Sequence, residues 1–349
     1  MTRQGENASD NQFSNGLSRR ELLAYTAAFG SALIASQGLA AEGYGSSNPQ
    51  PSTGSKPAKR YDMKKSINLW ALPYPDKMSL RQCFEICKDA GFDGVEVNYA
   101  LEGDLSPEAG DEHIRQCGKM ARDIGLEISG VCSFLFWPYA LTHEDSQRRK
   151  QGLDLAVKMV RAARLLGTDN LLVVPGATYV PWLEDVPPVP FEVCDQRAKE
   201  AMRVLIAEAK KADVYLNVEN IFVNGYLHSP QEMNDFVDSF KSDRVRVHFD
   251  TGNIMLYHFP EHWIPLLGKR IKNVHLKEYN KKVHEFNLHT FRPLLDGTTN
   301  WPAVLDALEA VDYHGYLTFE YFTPFTYYPE SLVYQTSGAM DWMLGRREG

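Results

Sequence analysis

Four short apolar runs in the second half of the chain each carry, at or near their ends, a residue that can bind a metal. No other feature of the 349-residue sequence constrains the fold as strongly. The runs are Leu216-Asn217-Val218-Glu219-Asn220, Val247-His248-Phe249-Asp250-Thr251-Gly252-Asn253, Asn273-Val274-His275-Leu276-Lys277-Glu278 and Leu317-Thr318-Phe319-Glu320. Glu219 to Asp250, Asp250 to His275 and His275 to Glu320 are intervals of 31, 25 and 45 residues. Each is about one strand-plus-helix repeat, the last with extra loop. If the runs are consecutive parallel strands, three carboxylates and one imidazole converge at one mouth of a sheet. Such a set is rich in oxygen and free of thiolate. It suits a single divalent ion, Mn²⁺ foremost, with Mg²⁺ or Co²⁺ as alternatives.

Strand side chains two apart share a face. Opposite the four ligands lie Val214, Leu216 and Val218, Val245, Val247 and Phe249, Val274 and Leu276, and Leu317 and Phe319, all apolar, as a sheet covered by helices requires. On the ligand side, one step below, lie Asn217, His248, Asn273 and Thr318. Polar groups inside a barrel need partners. These four are expected either to orient the ligands or to satisfy one another and buried water.

The first half alternates in the same way. Strands are expected at Ile67–Trp70, Gly94–Asn98, Leu126–Cys132 and Asn170–Val174, and helices at Ser79–Ala90, Asp111–Ile124 and Ser146–Leu166. Gly91, Gly125 and Gly167 stop those helices. A proline-rich loop over 175–190 reads as a lid, followed by helices from Arg197 to Ala212, Ser229 to Phe240, around Glu261 to Leu267, and Pro302 to Val311. Eight strands alternating with helices give an α/β chain with a single (β/α)₈ TIM barrel. No GxGxxG fingerprint supports an open dinucleotide-binding sheet. The tail from Pro329, with Tyr334, Met340, Trp342 and Met343, reads as a last helix packing on the barrel or on another subunit, so a homo-oligomer is left open.

Ahead of the barrel, Ser18-Arg19-Arg20-Glu21-Leu22-Leu23 leads into an uncharged run to Ala41 diluted by Thr26, Gly30, Ser31 and Ser36. Paired arginines, a mildly apolar stretch and a small-residue end read as a twin-arginine export signal rather than a membrane anchor. The expected organisation is therefore signal over 1–41, flexible linker over 42–62 and barrel over 63–349. The product would be periplasmic and free of a stable membrane anchor once cleaved. A formal charge of -8 argues against nucleic acid as a partner. Cys83 and Cys87, four apart on a helix, read as packing. The histidines His258, His262, His284, His289 and His314 read as loop or surface residues. Glu96 is expected to hydrogen-bond inside the barrel.

Gly91-Phe92-Asp93-Gly94-Val95-Glu96, the Leu165-Leu166-Gly167 helix end, Val218-Glu219-Asn220, Asp250-Thr251-Gly252-Asn253, His275-Leu276-Lys277-Glu278 and Glu320 occur in an order that resembles the divalent-metal sugar isomerase/epimerase barrels, which include xylose isomerase-like proteins and ketose 3-epimerases. The resemblance covers about Ser66 to Glu320. It implies that Glu219, Asp250, His275 and Glu320 are metal ligands and that Glu219 and Glu320 are also the acid/base pair. Asn253 stands where many members carry a substrate-contacting histidine, and Lys281 where the epimerases carry an arginine. Trp70, Trp137, Asn253, Lys277 and Lys281 are the expected contacts to a small sugar. Lys277 or Lys281 would support developing oxyanion charge, and Glu278 reads as a surface ion-pair partner. Phe136 and Trp182 are further stacking candidates, with core or lid filler as their other reading. The chemistry implied is proton transfer through an enediolate, isomerising or epimerising a free sugar or keto-sugar. The same site could instead expel a leaving group from a 3-keto-glycoside, as a lyase or hydrolase, or bind sugar without turnover. The related abasic-site endonucleases need more histidine ligands and a basic face.

Overall fold

The computed structural model describes residues 59–346 apart from 184–185, 223, 284–289 and 323. The expected signal, most of the expected linker, and His284 and His289 lie outside the described residues. The last residues of the expected linker are described, and there Tyr61 is buried. Its hydroxyl donates to Asp306 (2.7 Å) and its backbone N–H to Leu344 O (3.1 Å).

Eight parallel strands close into a barrel. They are β1 (Lys64–Asn68), β2 (Gly94–Asn98), β3 (Glu127–Cys132), β4 (Asn170–Val173), β5 (Tyr215–Glu219), β6 (Val245–Asp250), β7 (Ile271–Leu276) and β10 (Tyr316–Phe319). Around the barrel they run β1-β10-β7-β6-β5-β4-β3-β2. A two-stranded ribbon of β8 (Glu278–Tyr279) and β9 (Phe291–Arg292) lies between β7 and β10 and absorbs part of the longest ligand interval. The helices are α1 (Leu80–Asp89), α2 (Asp111–Ile124), α3 (Ser146–Leu166), α4 (Phe191–Ala212), α5 (Pro230–Ser239), α6 (Pro260–Leu267), α7 (Trp301–Ala310) and α8 (Glu330–Met343). Among the described residues no helix is long and apolar enough to cross a membrane.

Local chemistry sets the boundaries. Ser79 and Gln82 form a reciprocal capping box at the start of α1, and Gly125 and Gly167 take left-handed caps after α2 and α3. β1 stops at Asn68, earlier than the expected Trp70, because the Asn68 side chain accepts from Trp70 N–H (2.8 Å) and turns the chain into a 3-10 segment. α4 begins six residues before the expected Arg197. Cys194 already belongs to its buried stripe with Ala198, Ala201, Met202, Leu205 and Ala209, and Pro190 ends the loop.

The ten outward strand residues named above are all fully buried beneath the helices. α8 packs on the barrel itself through Leu332, Val333 and Met340. From β1, the buried Lys65 Nζ donates to Ser337 Oγ (2.8 Å) and Asp341 Oδ1 (2.6 Å).

The helical layer is close-packed at one glycine. A Cβ on Gly118 of α2 would lie 2.3 Å from the Leu166 carbonyl oxygen that ends α3. Glycine-to-alanine changes inside helices ordinarily stabilise by about 1 kcal/mol. Gly118→Ala is expected to do the reverse and cost about 1–3 kcal/mol, read as a lowered midpoint of urea unfolding.

Candidate metal centre

β5, β6, β7 and β10 are successive neighbours in the barrel, so residues separated by 31, 25 and 45 positions meet. Glu219 and Asp250 close β5 and β6, His275 sits one residue before the end of β7, and Glu320 follows β10. Asp250 pairs in register with His275, Glu219 with His248 and Thr318 with His275. The four ligands therefore occupy adjacent levels of one wall. One ligand atom from each of Glu219, Asp250, His275 and Glu320 lies within 4.8 Å of the others. His275 Nδ1 is 3.4 Å from Glu219 Oε1, 3.4 Å from Glu320 Oε1 and 3.8 Å from Asp250 Oδ2. All four residues are buried.

His275 and Asp250 are held by bonds that leave one side of each free. The His275 Nε2–H donates across the lumen to Glu96 Oε2 (2.7 Å), which also accepts from Asn68 Nδ2 (2.6 Å). Nδ1 is left with no hydrogen-bond partner, facing three carboxylates. Gly130, paired with Glu96 in β3, makes room for this arrangement, since a Cβ there would meet Glu96 Oε1 at 3.1 Å. Asp250 Oδ1 accepts from the backbone N–H groups of Gly252 and Asn253 (2.8 Å each). Asn220 brackets the Asp250 backbone, accepting from its N–H (2.9 Å) and donating to its carbonyl (2.8 Å). Asp250 Oδ2 has no aligned hydrogen-bond partner.

Electrostatically the cluster is short of positive charge. Burial, reinforced by Glu320 and Asp250 and opposed by His275, pushes the Glu219 carboxyl up to about 7. Burial raises Glu320 as well, against the pull of Lys277 and His275. Burial alone would lower the His275 imidazole, but Glu96, Glu320 and Glu219 carry it well above its usual range. An imidazole nitrogen that these carboxylates hold protonated, with unaligned carboxylate oxygens beside it, is a donor set in which a divalent cation fits the proton's place.

Lys277 belongs to this cluster. Its Nζ lies 2.9 Å from Asp250 Oδ2, contacts Glu320 Oε2 and donates to Asn253 Oδ1 (3.1 Å). The Phe291 and Phe322 rings flank it at 5.1 Å each. Gly252 is required for its passage, because a Cβ there would lie 2.8 Å from Lys277 Cβ and Cγ.

Other sequence expectations need correction. Lys281 is directed away from the cluster, donating to His258 O (2.9 Å) over the Phe259 ring, because the ribbon that starts at β8 redirects the chain. Glu278 is not on the surface. It is buried and accepts from Trp301 Nε1 (2.6 Å), Thr299 Oγ1 (2.6 Å) and Leu295 N (3.1 Å). Asn217 and Asn273 donate to Asn170 Oδ1 (3.2 Å) and Ser129 O (3.4 Å) rather than to the ligands. The His248 ring packs edge-on against His275 at 4.0 Å, its two nitrogens unpartnered, and the Thr318 hydroxyl is likewise buried without a partner. The orienting bonds come instead from Glu96, Asn68, Asn220 and the turn after β6. Of these the sequence pointed only to Glu96, as a hydrogen-bonding residue inside the barrel.

Trp70 and Trp137 lie at the ligand end of the barrel in one aromatic array with Phe134, Trp182 and Phe322. Trp70 is 5.1 Å from Phe322 and 6.2 Å from Phe134. Phe134 is 6.5 Å from Trp137 and 6.4 Å from Trp182, and the two tryptophans are 5.1 Å apart. Phe136 is instead in the core.

A family model described as xylose isomerase-like TIM barrel matches residues 84–338. No curated protein matches the chain. Among solved structures, an L-ribulose 3-epimerase is 21% identical with a TM-score of 0.67, covering 82% of this chain and 96% of its own. A D-psicose 3-epimerase from Clostridium cellulolyticum is 17% identical with a TM-score of 0.67, covering 80% and 98%. A 3-keto-D-glucoside 4-epimerase from E. coli is 16% identical with a TM-score of 0.64, covering 80% and 98%. Identities this low speak for a shared fold.

The Glu96–His275 bond generates a prediction for metal binding. Glu96→Ala is expected to weaken Mn²⁺ affinity about 10- to 100-fold in titration calorimetry. Glu96→Gln, which keeps an acceptor, should weaken it less. Unchanged affinity in both would detach Glu96 from the ligand set.

Proposed function

This chain belongs to the xylose isomerase-like TIM barrel family, and on that premise we propose that it is a divalent-metal-dependent isomerase or epimerase of a free sugar or keto-sugar. The observation carrying the reading is the placement of two glutamates in the ligand cluster. β5 and β10 are separated by β6 and β7, so Glu219 and Glu320 enter the cluster from opposite flanks while both come within 3.4 Å of His275 Nδ1. A substrate lying between them has a carboxylate available on each face.

Glu219, Asp250, His275 and Glu320 would hold the ion, Mn²⁺ being the first candidate and Mg²⁺ or Co²⁺ the others. When bound, the ion supplies electrophilic polarisation to the oxygens of a carbonyl and its neighbouring hydroxyl, which acidifies the C–H between them. One glutamate takes that proton. The other, protonated, returns one from the opposite face, so the proton count is unchanged over the cycle. Return to the same carbon is epimerisation, and return to the neighbouring carbon is isomerisation. Lys277 Nζ, beside Asp250 and Glu320, is placed to donate to the oxyanion. Asn253, its hydrogen-bond partner, fixes its position (3.1 Å). Loss of the leaving group from the same enediolate would make a 3-keto-glycoside lyase or hydrolase. A keto-glucoside epimerase among the similar structures supports keto-glycosides as a substrate class.

The paired arginines, Arg19 and Arg20, support twin-arginine export to the periplasm. Free sugars and glycosides rather than sugar phosphates are the substrates to be met there.

Incubation of the metal-loaded protein with candidate ketoses in deuterium oxide should place deuterium on a substrate carbon, seen by NMR. With metal content matched to wild type, Glu219→Gln and Glu320→Gln should each slow that exchange by about 10²- to 10⁴-fold. Exchange without these carboxylates would refute the two-glutamate scheme. Retained sugar affinity with no exchange in any form would mark a binding protein instead.

A further inference from the structure

The metal cluster uses one side of the barrel mouth, and the aromatic array lines the other. The ligands come from β5, β6, β7 and β10. The rings come from the segments that follow β1 (Trp70), β3 (Phe134 and Trp137), β4 (Trp182) and β10 (Phe322). All lie past the C-terminal ends of strands, the end at which parallel barrels place their chemistry. The two groups join at Lys277, whose Nζ touches the Asp250 and Glu320 carboxylates and lies 5.1 Å from the Phe322 ring centre. From Phe322 the array continues outward by steps of 5.1 Å to Trp70, 6.2 Å to Phe134 and 6.4 Å to Trp182.

The array holds five rings, each within 6.5 Å of a neighbour. Phe322, Trp70 and Trp137 are partly buried and pack against neighbouring side chains. The outer pair is different: Phe134 and Trp182 are each 48% exposed. Two adjoining large rings left half in water at the barrel mouth offer a surface that a flat apolar face of a ligand could cover.

Resting on the proton-transfer reading of the cluster, we infer that the substrate is a glycoside rather than a free monosaccharide. Its keto-sugar ring lies at the Lys277 cluster, and a second ring, sugar or aryl, stacks on Phe134 and Trp182. The C–H face of a pyranose and the face of an arene present the same chemistry to such a platform, a flat apolar surface with polar edges.

Equilibrium binding to the metal-loaded protein, read by titration calorimetry, tests this without turnover. The probes are methyl β-D-glucoside, cellobiose and phenyl β-D-glucoside. At least one of the two-ring probes should bind about tenfold more tightly than the methyl glucoside. The one that does identifies the second ring as sugar or aryl. The double variant Phe134→Ala with Trp182→Ala should erase that advantage, and Trp182→Phe, which restores a ring, should recover part of it. If neither two-ring probe binds more tightly than the methyl glucoside, the inference is wrong. It is equally wrong if the advantage survives in the double variant. Failure of deuterium exchange in wild-type protein would sink the proton-transfer reading, while the preference for a second ring would still be read from binding.

Discussion

Every other feature of this site follows from the cost of facing four electron-rich groups toward each other in a dry space. Carboxylates buried together resist ionisation, and an imidazole aimed at them is driven to hold its proton. The chain accepts this arrangement at the open end of a barrel in which the strand residues backing the four groups are apolar and buried. It offsets part of the cost with one ammonium, Lys277, and with hydrogen bonds that commit the remaining lone pairs of Asp250 and the second nitrogen of His275. The barrel supplies the rigidity that keeps these groups from relaxing apart. Register irregularities between Val95 and Glu96 and between Val247 and His248 fall on the two strands that aim Glu96 and Asp250, where β-bulges commonly re-aim side chains.

The two sides of the mouth divide the work. One gathers the charged groups, which under the proposed mechanism would transfer protons, and the other supplies ring faces. Lys277 is the hinge between them, an ammonium held by carboxylates on one side and by the Phe291 and Phe322 rings on the other. An ammonium against aromatic faces keeps its charge while exposing little of it to water. That environment suits the role proposed for Lys277, to meet a developing oxyanion without being hydrated away from it.

How much of this was legible in the sequence depended on the range over which each signal acts. Strand alternation and helix period are local, so Glu219, Asp250, His275 and Glu320 could be placed on one face from their own neighbours. Caps at Ser79, Gly125 and Gly167 were equally local. The choice between Lys277 and Lys281 was not, because it depended on the ribbon that turns the chain after β7. Glu278 read as a surface charge because its partners Trp301, Thr299 and Leu295 are contributed from well down the chain. In the loop after β3, a 3-10 turn brings residues three apart into line. That sets Phe134 with Trp137 and sends Phe136 into the core, which an inspection of composition alone could not separate. The polar residues below the ligands were found, but their partners lie on other strands: Asn170 on the neighbouring β4, and Ser129 on β3, across a lumen that exists only after closure.

The Glu96–His275 bond spans that lumen, joining β2 to β7, strands with two others between them in the closed order. The carboxylates on β5 and β6 face only Nδ1, so it is this bond across the ring that fixes Nε2 as a donor. The bond is thus a contact between two walls of the finished ring, present only where the ring is closed.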